Sequence, residues 1–188
     1  MVVGRRAAVF STALCLLSLL WVADSVASQD AAKEDVPLLS ELVGKYEYTG
    51  NREKDQAAIA AQIEGAISSM SRLTQGIAKD RLTKANKIPG KLDISTKGTD
   101  VILSLDAWTV TAPTDGKKRA ITTPFGDKGN ASFHVKSATL IQEIETRQAT
   151  RTNQFRFTKD GKLLMRTKES SSKLSAPVQY ELLYKPKK

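Results

Sequence analysis

Histidine and cysteine, two residue types that often carry enzyme chemistry, are scarce in this 188-residue chain. His134 is its single histidine and Cys15 its single cysteine, so a Cys/His zinc site, a disulfide framework and a Cys–His nucleophile pair all lack the residues they require. The sequence contains no Gly-x-Ser-x-Gly segment to position a nucleophilic serine and no glycine-rich loop to hold a phosphate. We therefore predict no metal site, no cofactor and no catalytic residue.

Glu143 and Glu145 are the acidic pair whose spacing could do acid–base work. Residues two apart on a strand share a face, and neighbouring carboxylates can split their pKa values to serve as acid and base. His134 alternates with Phe133 and Val135, so it faces solvent if those two point inward. We interpret the three polar residues as part of a solvated outer surface and keep an enzyme acting through them as the alternative.

The segment over residues 147–157, which follows this acidic pair, is unusually polar for paired strands. Phe155 and Phe157 share a strand face, and strict alternation places Arg147 and Arg151 on it as well. If that face points inward, the cavity is apolar at one end and cationic at the other, which suits an amphipathic anion. A register shift near Ala149 would instead turn the arginines outward, and the pattern leaves both alternatives open. The candidate ligand-binding residues are Tyr46, Trp108, Phe133, Arg147, Arg151, Phe155, Phe157 and Tyr180.

The chain is basic, because lysine and arginine outnumber aspartate and glutamate by 29 − 20, a net charge of +9. The densest clusters are residues 117–119 and 185–188. Such a charge attracts anionic surfaces. No aromatic side chains interleave with the clusters as a base-stacking surface requires, so we predict no specific nucleic-acid binding. An anionic surface or a protein partner is the alternative to a small ligand.

The first 27 residues have the pattern of a secretory signal peptide. Arg5 and Arg6 precede an apolar run over residues 7–23, and Ser25 and Ala27 supply the small residues before a cleavage site. The alternative, an uncleaved anchor, needs about 20 apolar residues to span a bilayer, and this run is shorter. We predict a secreted or periplasmic protein that is not transmembrane after cleavage.

The elements that must position the candidate residues begin after a polar leader over residues 28–42. Residues 44–49 alternate in the period of a strand. Residues 55–86 are predicted to be helical, and Gly76 is a position where this stretch could split into two helices. The apolar stripe consists of Ile59, Ile63, Ile67, Met70, Leu73 and Ile77.

From Gly90 onward the sequence is mainly β. Short alternating runs are separated by turn residues at a spacing of roughly 8–12 residues, the pattern of a sandwich or a barrel. Consecutive hairpins favour an up-and-down antiparallel meander, and pairing of the last strand with the first would remove two open edges. We predict one β-barrel domain over residues 43–188 with a helical insertion between strands 1 and 2.

These features resemble the calycin barrels, which comprise the lipocalins and the fatty-acid-binding proteins. Gly44 and Tyr46 stand where lipocalins have Gly-x-Trp, with tyrosine in place of tryptophan. The helical segment occupies the slot of the helix-turn-helix of fatty-acid-binding proteins. Those proteins hold a carboxylate partly through an arginine two residues before a tyrosine on the last strand. Leu182 stands two residues before Tyr184 here, so this clamp is not carried over.

The resemblance implies a lipocalin-like protein that binds a small apolar or amphipathic molecule, an anion among the options, in a barrel cavity, and the predicted signal peptide implies that it is exported. The alternative is a non-catalytic envelope or extracellular adaptor that binds a protein or a polyanion through its helix or its basic surface. A cavity of about 300 Å³ or more would favour the first function.

Overall fold

The computed structural model of the protein describes residues 39–187. The predicted signal peptide, Cys15 and most of the polar leader lie outside these residues. The described part is mainly β, as predicted. Its elements in chain order are β1 Gly44–Tyr48, α1 Arg52–Ile67, α2 Arg72–Ala85, β2 Lys91–Lys97, β3 Asp100–Leu105, β4 Trp108–Pro113, β5 Arg119–Thr122, β6 Lys128–Lys136, β7 Thr139–Thr146, β8 Thr150–Phe157, β9 Leu163–Ser170 and β10 Val178–Pro186.

The strands form one antiparallel sheet in the order β4-β3-β2-β1-β10-β9-β8-β7-β6-β5. The last strand pairs with the first, with Tyr46 opposite Pro186 and Tyr48 opposite Tyr184. Each other ladder joins strands that are consecutive in the sequence. The predicted up-and-down barrel and its closure between the first and last strands are therefore confirmed.

The barrel has one seam without a ladder, between β4 and β5. Two side-chain contacts cross this seam. Trp108 Nε1 donates to the carbonyl oxygen of Thr122 at 3.2 Å, and Arg119 Nη1 donates to Asp100 Oδ2 at 2.7 Å. Side chains, rather than backbone hydrogen bonds, thus hold the two edges together, and the barrel is nearly closed.

The two helices fill the predicted slot but divide at residues 68–71, not at Gly76, which lies inside α2. Ser68 ends α1 because both its backbone N–H and its hydroxyl bond to the Gly65 carbonyl, a local contact that competes with the helix ladder. Asn51 caps the start of α1, and its Oδ1 accepts from the Lys54 N–H at 3.0 Å.

Only the first half of the predicted apolar stripe is buried. Ile59, Ile63 and Ile67 of α1 are at most 2% exposed, whereas Leu73 and Ile77 of α2 are 81% and 69% exposed. The two helices differ because α2 lies across one end of the barrel and buries little of its own surface.

Because the strands form a meander, their turns alternate between the two barrel ends. We call the end where β1 leads into α1 the mouth, and the end where β1 begins the closed end. The helical turn over residues 39–42 packs at the closed end, where Leu42 is fully buried and its carbonyl oxygen accepts from the Tyr46 hydroxyl at 2.8 Å. The chain before β1 therefore helps to seal this end.

A group of tyrosines joins β1, α1 and β10 near the mouth. The Tyr48 hydroxyl donates to the Asp55 carboxylate, and the Arg52 guanidinium lies 5.2 Å from the centre of the Tyr48 ring. The Tyr184 ring packs edge-on against Tyr48 at 5.9 Å. Burial, followed by the bond to Asp55, raises the pKa of Tyr48 to about 12, and burial also raises the pKa of Tyr184.

We expect the free energy of unfolding to fall as the pH rises from 10 toward 12. The unfolded tyrosines lose their protons near the ordinary pKa of 10.0, while Tyr48 and Tyr184 stay neutral in the folded protein. The folded state then holds more protons than the unfolded state, so each step up in pH favours unfolding. Urea unfolding at a series of pH values measures this slope. The double variant Tyr48→Phe/Tyr184→Phe should show a shallower fall, and an unchanged slope would contradict the assignment.

Candidate ligand pocket at the barrel mouth

A pocket of about 580 Å³ lies at the mouth, between α2 and the ends of the strands. Its walls come from α2, the β3–β4 turn, the β5–β6 turn, the β7–β8 turn and the loop after β9. Turns from alternate hairpins meet here because the meander brings them to the same end. The volume lies within the range of roughly 300–1,000 Å³ that is typical of small-molecule sites.

The side walls of the pocket are apolar. Ile77 and Ala78 of α2 face the pocket from one side, and Leu105, Trp108 and Phe125 face it from the strand ends. Ile77 and Phe125 are both exposed, the latter by 47%, because they border this opening. The hydrogen bond of Trp108 Nε1 across the seam holds the indole at the edge of the pocket.

The floor of the pocket holds an ion pair between Arg151 of β8 and Glu169 of β9. Arg151 Nη1 lies 3.3 Å from Glu169 Oε2, and the two side chains are 18% and 11% exposed. Asn86 Nδ2 donates to the same carboxylate oxygen at 3.0 Å, and Arg151 Nη2 donates to the Tyr180 hydroxyl at 2.8 Å. Burial lowers the pKa of Arg151, but Tyr180 and Glu169 outweigh it and the net pKa lies above its ordinary value. The guanidinium is therefore charged and already paired.

A chain of buried amides continues from this floor into the barrel. Arg151 Nε donates to Asn153 Oδ1 at 3.4 Å, and Thr167 Oγ1 donates to the same atom at 2.8 Å. Asn153 Nδ2 donates to Gln142 Oε1 at 2.8 Å. Gln142 Nε2 is the buried side-chain nitrogen within residues 39–187 that has no hydrogen-bond partner. The inner wall of the barrel is therefore polar where β7, β8 and β9 lie side by side.

Charged side chains surround the opening. Arg81 of α2 pairs with Asp127 of the β5–β6 turn, an ion pair that ties the helix to the strand ends. Asp106 accepts backbone N–H bonds from Gly90 at 3.0 Å and from Lys91 at 2.9 Å. Two further lining residues, Lys87 and Lys173, have no ion pair within the described part of the chain.

The structure divides the predicted ligand-binding residues into two groups. Trp108 and Arg151 line the pocket, and Tyr180 accepts a hydrogen bond from Arg151 without lining the pocket itself. Tyr46, Phe133 and Phe155 are buried but do not line it, because they pack into the hydrophobic core. Strand alternation gives the inward face but not the depth along the barrel, so a ligand-binding role for these three stays a prediction that this pocket does not support.

Phe157 and Arg147 also lie outside the lining of this pocket. Phe157 shares the inward face of Phe155 but lies at the closed end, where it is 37% exposed and its ring lies 6.4 Å from Tyr46. Arg147 is exposed in the turn between β7 and β8. Since β8 begins only at Thr150, alternation does not extend across the turn, and only one of the two arginines points inward.

Glu169 and Asn86 are site residues that the sequence analysis missed. Glu169 continues the inward set of β9, which also includes Met165 and Thr167. A charged residue at an inward strand position was the available signal. Asn86 follows the last turn of α2, and nothing in its sequence context indicated that it is fully buried against β9.

The residues considered for acid–base chemistry lie outside the barrel. Glu143, Glu145 and His134 alternate with inward residues of β6 and β7, and none of them lines the pocket. Glu145 pairs with Lys118 at 2.6 Å. Within residues 39–187, no three His, Cys, Asp or Glu side chains are arranged to hold a metal ion.

The basic cluster over residues 117–119 is neutralised by carboxylates. Lys117 pairs with Asp115 at 2.7 Å, Lys118 with Glu145, and Arg119 with Asp100 at 2.7 Å. A polyanion would have to compete with each of these partners, so the structure does not favour this cluster as a binding surface.

Among the described residues, no helix is both long enough and apolar enough to cross a bilayer.

No protein-family model matches the sequence, and no curated protein matches it either. Solved structures do match the fold.

A secretory abundant heat soluble protein from Ramazzottius varieornatus is 14% identical, with a TM-score of 0.51 over 78% of this chain and 96% of that one. The fluorescent protein UnaG is 14% identical, with a TM-score of 0.53 over 79% and 99%. A Schistosoma mansoni fatty-acid-binding protein in complex with arachidonic acid is 14% identical, with a TM-score of 0.48 over 80% and 98%. Together with the strand order and the helices between β1 and β2, the first two define a calycin-like fold. At these identities the likeness concerns the fold alone.

Proposed function

We propose that this protein binds a small apolar or amphipathic molecule in the pocket at the barrel mouth. The observation that carries the proposal is the 580 Å³ opening, whose side walls are apolar and whose floor holds a few placed polar groups. Ligand sites have this composition because the apolar walls supply most of the binding energy and the polar groups orient the ligand.

The arrangement of the walls indicates how a ligand would lie. Its apolar body would pack between Ala78 of α2 and the Trp108 indole, and its polar group would face Arg151 and Glu169. Below the mouth, Phe133 and Phe155 are fully buried in the core and leave no exposed surface for a ligand. The ligand is therefore expected to stay near the mouth.

We also propose that the protein acts outside the cytoplasm, as a secreted or periplasmic protein, because residues 1–27 have the pattern of a cleavable signal peptide. N-terminal sequencing of the protein purified from cells tests cleavage of this segment, and a chain that still begins at Met1 would refute a cleaved signal peptide. For the adaptor alternative, a polyanion at residues 117–119 would have to displace the carboxylates that pair with this basic cluster.

Titration with N-phenyl-1-naphthylamine, a neutral apolar dye that becomes fluorescent in apolar surroundings, tests the pocket. We expect saturable binding to the purified protein. Ala78→Phe, which places a ring in the pocket wall, should weaken dye binding at least tenfold. Ala58→Phe adds the same ring on an exposed position of α1 and should leave binding unchanged.

The outcome depends on the comparison between the two variants. Absence of saturable dye binding to the folded wild-type protein would refute the proposed function. Equal binding by both variants would place the dye elsewhere on the surface and would also refute it.

A further inference from the structure

The inward arginine of this barrel already holds a carboxylate that belongs to the chain. Each of the three guanidinium nitrogens of Arg151 donates at least one hydrogen bond to protein atoms, and Nη1 contacts Glu169 Oε2 at 3.3 Å. Glu169 also accepts from Asn86, which is itself fully buried. A side chain from each of three elements, the end of α2, β8 and β9, fixes this arrangement.

A ligand carboxylate at this floor would meet Glu169 as well as Arg151. One guanidinium would then face two carboxylates, which leaves an excess negative charge. Arg151 and Glu169 are both less than one-fifth exposed, and burial of an unpaired charge costs free energy. A neutral hydroxyl has no such conflict. Within the described residues, Glu169 Oε1 has no hydrogen-bond partner, and it can accept a hydrogen bond from a ligand O–H.

We propose that Glu169 makes this pocket selective for ligands that carry a neutral hydrogen-bond donor, such as a long-chain alcohol, and makes it reject the corresponding carboxylic acids. This rests on the pocket function proposed above. Glu169 is thus a specificity-determining residue: its charge, rather than the shape of the pocket, excludes acids.

The remaining charges at the pocket do not reverse this preference. Lys87 and Lys173 are exposed at the rim, where dissolved salt screens them. Arg81 and Lys84 are paired with Asp127 and Asp80. The excess of positive charge at the opening can attract an acid to the surface, but only the buried floor distinguishes one polar group from another.

Displacement of bound N-phenyl-1-naphthylamine by 1-dodecanol and by dodecanoate tests the proposal at neutral pH and 0.15 M salt. We expect wild-type protein to bind dodecanol at least tenfold more tightly than dodecanoate. Glu169→Gln keeps an acceptor oxygen for Arg151 and Asn86 but removes the charge, and should tighten dodecanoate binding at least tenfold. Glu181→Gln removes the carboxylate of an exposed Arg–Glu pair on the outer surface and should change neither affinity.

A thermal-shift measurement supports the binding data and covers the case in which Glu169→Gln is less stable. Dodecanoate should raise the melting temperature of this variant more than dodecanol does, because the ligand carboxylate replaces the missing charge beside Arg151. Equal affinity of wild-type protein for the two ligands, or no gain in dodecanoate affinity in Glu169→Gln, would overturn the proposal. If the dye still binds saturably in that case, the pocket function stands, whereas loss of dye binding as well would overturn both.

Discussion

Replacing Arg151 by methionine is expected to lower the free energy of unfolding by about 3 kcal/mol, because it leaves the Glu169 carboxylate buried without its counter-charge. Methionine keeps the length and apolar character of the side-chain stem, so lost packing contributes little. Both partners are well shielded, at 18% and 11% exposure, and the Asn86 amide is then the main group left to stabilise the carboxylate. Urea unfolding at neutral pH measures the loss.

Two further variants make this experiment decisive. Arg166→Met breaks an Arg–Glu pair on the outer surface, where the side chains are 51% and 48% exposed, and should cost less than about 1 kcal/mol. Adding Glu169→Gln to Arg151→Met removes the unpaired charge and should restore at least half of the lost stability. Equal costs for Arg151→Met and Arg166→Met would show that the inner pair is as well solvated as the outer one.

Truncating Phe155 to alanine is expected to lower the free energy of unfolding by about 3–5 kcal/mol. Its ring is fully buried in β8, and its backbone is paired with Leu140 on one side and Met165 on the other. Those neighbours are themselves fully buried, so the barrel wall cannot readily collapse into the space that the ring leaves.

Phe157→Ala is the matched control, because Phe157 lies two residues further along the same strand and on the same face. It is 37% exposed at the closed end, so its truncation removes less buried area and should cost about 1–2 kcal/mol. Thermal or urea unfolding of both variants gives the comparison. Similar small losses at the two positions would mean that the interior around Phe155 is open, and that the ligand space extends below the mouth.

Much of the fold could be predicted from local sequence pattern. Strand alternation beyond Gly90, with short hairpin connections, led to the antiparallel meander and to its closure by β10 on β1. The change to a helical period after β1 led to the insertion. The division of the helices was predicted less well, because the competing bonds of Ser68 to the Gly65 carbonyl act over only three residues and leave the hydrophobic period intact.

The candidate site was harder to predict. Alternation correctly separated inward from outward residues within a strand, and it placed Trp108 and Arg151 among the candidates. It does not say how deep a residue lies along the barrel axis, so it could not tell that Phe133 and Phe155 pack in the core rather than at the mouth. It also fails across a turn, which is why Arg147 was grouped with Arg151.

The sequence by itself determined which side chains can face the interior, since a period of two follows from the geometry of any strand. The tertiary structure alone decided which of them meet. Arg151 pairs with Glu169 across 18 residues and bonds to Asn86 across 65, and these contacts form only when the barrel closes and α2 docks on its mouth. The charge that a ligand meets is set by such long-range contacts, because the field at a buried site depends on every neighbour that folding brings to it.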